Sequence, residues 1–136
     1  MKIRSIRTRL AAVAAAVAIL PAAAQLAHAG EPGAVAAAPD GRVLIWSGYH
    51  YTDYCNAWAS SPDTLGPCHD TTSSVCNRGW VGDFDDVWLF QHTHYQGAKR
   101  GLYNARCIDD LRNFKFDASN ISMDNQISSM KWTNLA

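Results

Sequence analysis

The chain has 136 residues, 12 basic and 12 acidic side chains, four cysteines and no net charge at pH 7. Lys2, Arg4, Arg7 and Arg9 all fall in the first 29 residues, which hold no acid, so the remainder carries 8 basic against 12 acidic groups, a net charge of about −4. An acidic surface argues against nucleic acid and anionic membranes as partners.

The first element is an export signal. Its four basic residues form an n-region, and residues 10–20 consist of Ala, Val, Ile and Leu. That run is shorter than the ~20 residues needed to span a bilayer, and it is followed by Ala27-His28-Ala29, a small-x-small cleavage pattern. Residues 1–29 are therefore expected to be removed, leaving a secreted protein, bacterial by its Ala-rich leader. Residues 30–41 are low in complexity and hold no large apolar group, so they are expected to form a flexible arm. Residues 42–136 are expected to fold as one domain.

All four cysteines, Cys55, Cys68, Cys76 and Cys107, lie after the signal. An even number in a small exported chain reads as two disulfides. Three pairings are open, and Cys55–Cys68 with Cys76–Cys107 is the one we favour. A zinc site is the rival, but the chain has no C-x-x-C pair.

The domain repeats itself. Val43-Leu44-Ile45-Trp46 with His50-Tyr51 returns 44 residues later as Val87-Trp88-Leu89-Phe90 with His94-Tyr95. His69-Asp70-Thr71-Thr72-Ser73-Ser74-Val75 returns 55 residues later as Asp124-Asn125-Gln126-Ile127-Ser128-Ser129-Met130, so the second unit carries 11 extra residues in its middle loops. Each head is a short apolar run that reads as a buried strand. No helical stripe comes after the signal, and turn residues punctuate the chain at a spacing that suits a sandwich. The expected fold is all-β: two Greek keys of four strands each, packed face to face and stapled by two disulfides. Leu111, Phe114 and Phe116 are expected to supply a late turn and strand, and Met130 and Trp132 to point inward from the last strand.

Phe90-Gln91-His92-Thr93-His94-Tyr95-Gln96-Gly97 has an aromatic, four residues, an aromatic, one residue and Gly. It resembles the Greek-key signature of βγ-crystallin domains, with Phe90, Tyr95 and Gly97 as its fixed points. Gly supplies a positive φ, and the two aromatics pack across the turn. The first unit has Trp46 and Tyr51 at the same spacing but Asp53 in place of Gly, a residue that tolerates the left-handed region. The tails resemble the family's calcium-binding signature. With Trp88-Leu89-Phe90, the run 110–116 and the ending 125–130, the chain is similar over residues 43–132 to the peptidase-inhibitor family typified by the streptomycete metalloproteinase inhibitor. This resemblance implies a monomeric inhibitor of an extracellular metalloprotease and not an enzyme. The alternative is a calcium-binding secreted module without inhibitory activity, directed at cell-wall glycan or antimicrobial.

Calcium takes oxygen ligands, and the candidates are Asp124, Asn125 and Ser128 in one bend, with Asp70 and Ser73 in its counterpart. Asp, Asn and Ser also build ordinary turns through local hydrogen bonds. An inhibitor needs a rigid exposed loop. One candidate is the connection between the units, Cys76, Asn77, Arg78, Gly79, Trp80 and Val81. The other is the stretch between Cys55 and Cys68, stiffened by Pro62 and Pro67, with Trp58 and Leu65 as apolar anchors. Val81 or Leu65 suits the apolar residue that thermolysin-type enzymes take after the scissile bond. His92 and His94, with His50 and His69 near them, form a weaker candidate metal set, although packing beside Tyr51 and Tyr95 explains His50 and His94 equally. Asp83, Asp85 and Asp86 offer paired acids in a segment of turn character. The Asn120-Ile121-Ser122 sequon carries no meaning in a bacterial chain.

Overall fold

The computed structural model describes residues 38–136. The export signal read at 1–29 and the arm as far as residue 37 lie outside them. Residues 38–41, counted with the arm, are tied to the domain. The backbone N–H groups of Asp40 and Gly41 donate to the Arg78 carbonyl, and the Arg78 guanidinium reaches back to the Ala38 carbonyl and the Asp40 carboxylate.

β1 (Arg42–Trp46) and β2 (Tyr54–Trp58) form an antiparallel hairpin, and β3 (Ser74–Arg78) pairs with the other side of β1. β4 (Asp86–His92) and β5 (Gln96–Leu102) repeat the hairpin. β6 (Cys107–Ile108) then leaves its own unit and pairs with β3, while β7 (Ser129–Thr133) pairs with β4. The two sheets run β2-β1-β3-β6 and β5-β4-β7.

Four strands per unit were expected, but the first unit places only three in a sheet. Its third position is filled by an irregular run, residues 61–65, lying along β7. The Leu65 N–H donates to the Ser128 carbonyl, the Met130 N–H to the Pro62 carbonyl and the Trp132 N–H to the Ser61 hydroxyl. Pro62 has no N–H to give, so a regular ladder cannot form there. The late segment departs likewise: Leu111–Asn113 makes the turn, but the expected strand is reduced to a single bridge between Lys115 and Ser122.

One core joins the sheets. Val43, Ile45 and Val75 enter from the first, Val87, Leu89 and Met130 from the second, and Leu65, Leu111, Phe116 and Ile127 from the connections. Each large buried side chain contributes roughly 1.5–3 kcal/mol. Trp132 packs against this core half-buried. Both disulfides have the pairing favoured from sequence: Cys55–Cys68 closes the run after β2, and Cys76–Cys107 bridges register partners on β3 and β6.

The repeat extends to the backbone. His50 and His94 (φ 54° and 57°), Tyr51 and Tyr95 (both 60°), Asp53 and Gly97 (53° and 79°), and Asp70 and Asn125 (53° and 55°) occupy the left-handed region in matched pairs. Trp46 stacks edge-on to Tyr51 at 5.1 Å, and Phe90 meets Tyr95 at 5.7 Å. Asp53 therefore does the work of the missing glycine.

Candidate functional sites

The two tails meet crosswise. In each, the second serine locks its own hairpin: Ser74 Oγ donates to the Gly48 carbonyl at 2.7 Å and accepts from Tyr51 N–H, and Ser129 Oγ does the same with His92 and Tyr95. The first serine faces the opposite unit. Ser128 Oγ lies 2.9 Å from Asp70 Oδ1 and 2.7 Å from the Gln91 carbonyl oxygen, and Ser73 Oγ lies 3.4 Å from Asn125 Oδ1. Four of the residues read from the sequence as calcium candidates, Asp70, Ser73, Asn125 and Ser128, make these contacts. Asp124 is held through Oδ2 by the Tyr49 hydroxyl at 2.9 Å, while its Oδ1 is buried with no hydrogen-bond partner. That bond and burial push the Tyr49 phenol above its usual range.

These donors are oxygens of the kind calcium takes, three of the roughly 6–8 it needs. Three oxygens converge at Ser128 with one hydroxyl proton among them, so one short oxygen–oxygen contact always lacks a proton, and a hard cation satisfies such a group. Asp70, Ser128 and the Gln91 carbonyl would hold one ion, with Ser73 and Asn125 offering the counterpart. Tyr49 and the Gln91 carbonyl were missed in the sequence. Tyr49 differs from Thr93, its match in the repeat, and that asymmetry was the available signal; a backbone carbonyl leaves none.

His50, His69, His92 and His94 do not gather into a metal set. His92-x-His94 suggested two rings on one strand face, but His94 sits at positive φ beyond the end of β4 and turns away. His94 Nε2 faces Asp63 at 3.5 Å, His50 Nδ1 faces Asp109 at 3.0 Å, and His69 Nδ1 faces Asp70 at 3.1 Å. Among the described residues no three His, Cys, Asp or Glu side chains gather around one point. The acids part similarly: buried Asp86 accepts from the backbone of Asn104 and Leu135, Asp85 accepts from Gly82, and Asp83 faces outward.

The inhibitory-loop candidates divide. Cys76, Asn77 and Arg78 belong to β3, and Cys76, Asn77 and Gly79 are buried, which removes them as contacts for a protease. Leu65, the anchor named in the other candidate, is fully buried in the core and is removed too. The part that stays outside is the turn itself: Trp80 is 67% exposed, Val81 81% and Phe84 64%. Phe84 was not named from sequence, because it stands among acids in a segment of turn character. Trp80 lies across Gly41 so closely that a Cβ there would meet its indole nitrogen. A cleft of about 310 Å³ opens between this turn and Trp132, lined also by Asp83 and Ala59.

No protein-family model matches the chain, and no curated protein matches it. Solved structures do. A structure concerned with the evolution of the eye-lens βγ-crystallin domain fold shares 19% identity at a TM-score of 0.55, covering 76% of this chain and 96% of its own. A βγ-crystallin from Ciona intestinalis shares 14% at 0.53, covering 68% and 100%, and one from an archaeon shares 17% at 0.51, covering 67% and 95%. The chain has the βγ-crystallin fold.

Proposed function

We propose that the chain is an exported, monomeric inhibitor of an extracellular protease, a metalloprotease by the resemblance of its motifs, and that it grips its target with the turn between the two units. The observation that carries this reading is the exposure of Trp80, Val81 and Phe84 together on one turn of a disulfide-stapled sandwich. Grouped exposed apolar side chains mark interaction sites, and a loop held in one conformation binds at low ordering cost. Two disulfides fit an oxidising compartment, and no helix among the described residues is long and apolar enough to cross a membrane. The test is a titration of thermolysin-like and serine proteases with the mature protein and with the double variant W80A/V81A. Stoichiometric loss of metalloprotease activity that the double variant fails to produce supports the reading. Full activity at micromolar wild-type protein overturns it.

The second reading is a calcium-binding module without inhibitory activity. The unpartnered Asp124 Oδ1 and the oxygens converging on Ser128 favour it. Calcium binding with no effect on any protease would select it.

A further inference from the structure

The turn between the units has an unusual stem. β3 and β4 enter and leave it, but they belong to different sheets and are not paired. No hairpin ladder closes the turn, so something else must hold its ends. Two asparagine side chains do. Asn77, fully buried, donates from Nδ2 to the Asp85 carbonyl at 2.9 Å and to the Leu102 carbonyl at 3.2 Å, and its Oδ1 accepts from the Gly79 N–H at 2.9 Å. Asn104 donates to the Gly79 carbonyl at 3.0 Å and the Asp85 carbonyl at 3.3 Å. Its own N–H is fixed to Asp86 Oδ1 at 2.8 Å. Both amides face two carbonyls through nitrogen, which sets their orientation. Within the turn, the Gly82 N–H donates to Asp85 Oδ2 at 3.0 Å.

We infer that Asn77 and Asn104 are positioning residues for residues 79–85: they replace the missing ladder and hold Trp80, Val81 and Phe84 in one conformation for the partner. The inference rests on the inhibitor reading for the identity of that partner, but not for the strut. The two amides pin both ends of the turn, so a bound protease meets a loop already ordered, and a cut within it does not let the ends part easily. Asn104 is half-buried and is not one of the core residues, so it can be changed without opening the core. Asp in its place keeps the size and loses both donated bonds.

The experiment compares the mature wild type with N104A and N104D, under a thermolysin-like protease and a broad-specificity serine protease. It tracks residual protease activity, the position of any nick by mass, and the melting temperature. The expected result is that both variants are cut within residues 80–84 about tenfold faster than wild type, that inhibition fades as they are consumed, and that the rest of the chain stays intact with melting little changed. Wild-type cutting rates in both variants overturn the inference, and so do nicks scattered along the chain, which assign Asn104 to general stability. If wild type inhibits neither protease while the variants are still cut selectively at 80–84, the strut stands and the inhibitor reading falls.

Discussion

Ser128 Oγ stands 2.9 Å from Asp70 Oδ1, a residue 58 positions earlier and in the other repeat unit. The contact belongs to neither unit alone, so an ion bound there would tie the two keys together. Extracellular calcium modules bind at roughly 10⁻⁴–10⁻³ M, and calcium at ten to a hundred times Kd stabilises by about 1.4–2.7 kcal/mol. The melting temperature of the wild type is expected to rise by about 5–15 °C with saturating calcium. D70A is expected to lose most of that rise, with a matching loss of bound calcium in equilibrium dialysis. An equal rise in D70A and wild type would remove Asp70 as a ligand.

Tyr51 carries a different expectation. Its hydroxyl is buried without a partner, and burial, with the Asp109 charge adding to it, pushes its pKa up to about 12. An unsatisfied buried hydroxyl is a cost, so Y51F is expected to be neutral or stabilising by about 1 kcal/mol at pH 7. The raised pKa sets the alkaline behaviour. Between pH 10 and 12 the unfolded chain releases this proton while the folded chain keeps it, so stability falls with rising pH. Urea unfolding across that window should show a shallower fall in Y51F than in wild type.

Asp53 and Gly97 occupy matched left-handed positions but not matched surroundings. A Cβ at Gly97 would meet the His92 ring at 2.6 Å. G97D is therefore expected to cost about 1–3 kcal/mol, from the φ penalty together with displacement of His92. D53G removes a mild strain but adds freedom to the unfolded chain, so its effect is expected to stay within about 1 kcal/mol. Denaturation midpoints of the two variants decide this.

The features legible in the sequence came from local rules. The spacing of Trp46 to Tyr51 and of Phe90 to Tyr95 encodes a hairpin that closes on itself, and the repeated Asp/Asn-x-x-Ser-Ser tails mark two matched bends, although the partners of their side chains lie far away in sequence. Exchange between the units was not legible. Nothing local says that Cys107 and Ile108 join the first sheet, or that residues 61–65 lie along β7. Leu65 looked like an anchor for a partner because a proline-flanked loop reads as surface, yet the exchange carries it into the core. Asn77 looked like part of an exposed connection because Asn is usually a surface residue. It is buried because its amide closes a stem that no ladder can close.

The Cys76–Cys107 bond spans the strand exchange, with one sulfur before the turn and the other after it. A protease that hydrolyses a bond between Trp80 and Phe84 therefore severs the chain without releasing a fragment. The new carboxylate and amine stay on a single molecule, anchored by the bridge and by the intact β3–β6 pairing. Product cannot diffuse away, dilution does not drive the cut forward, and the two ends remain placed to rejoin.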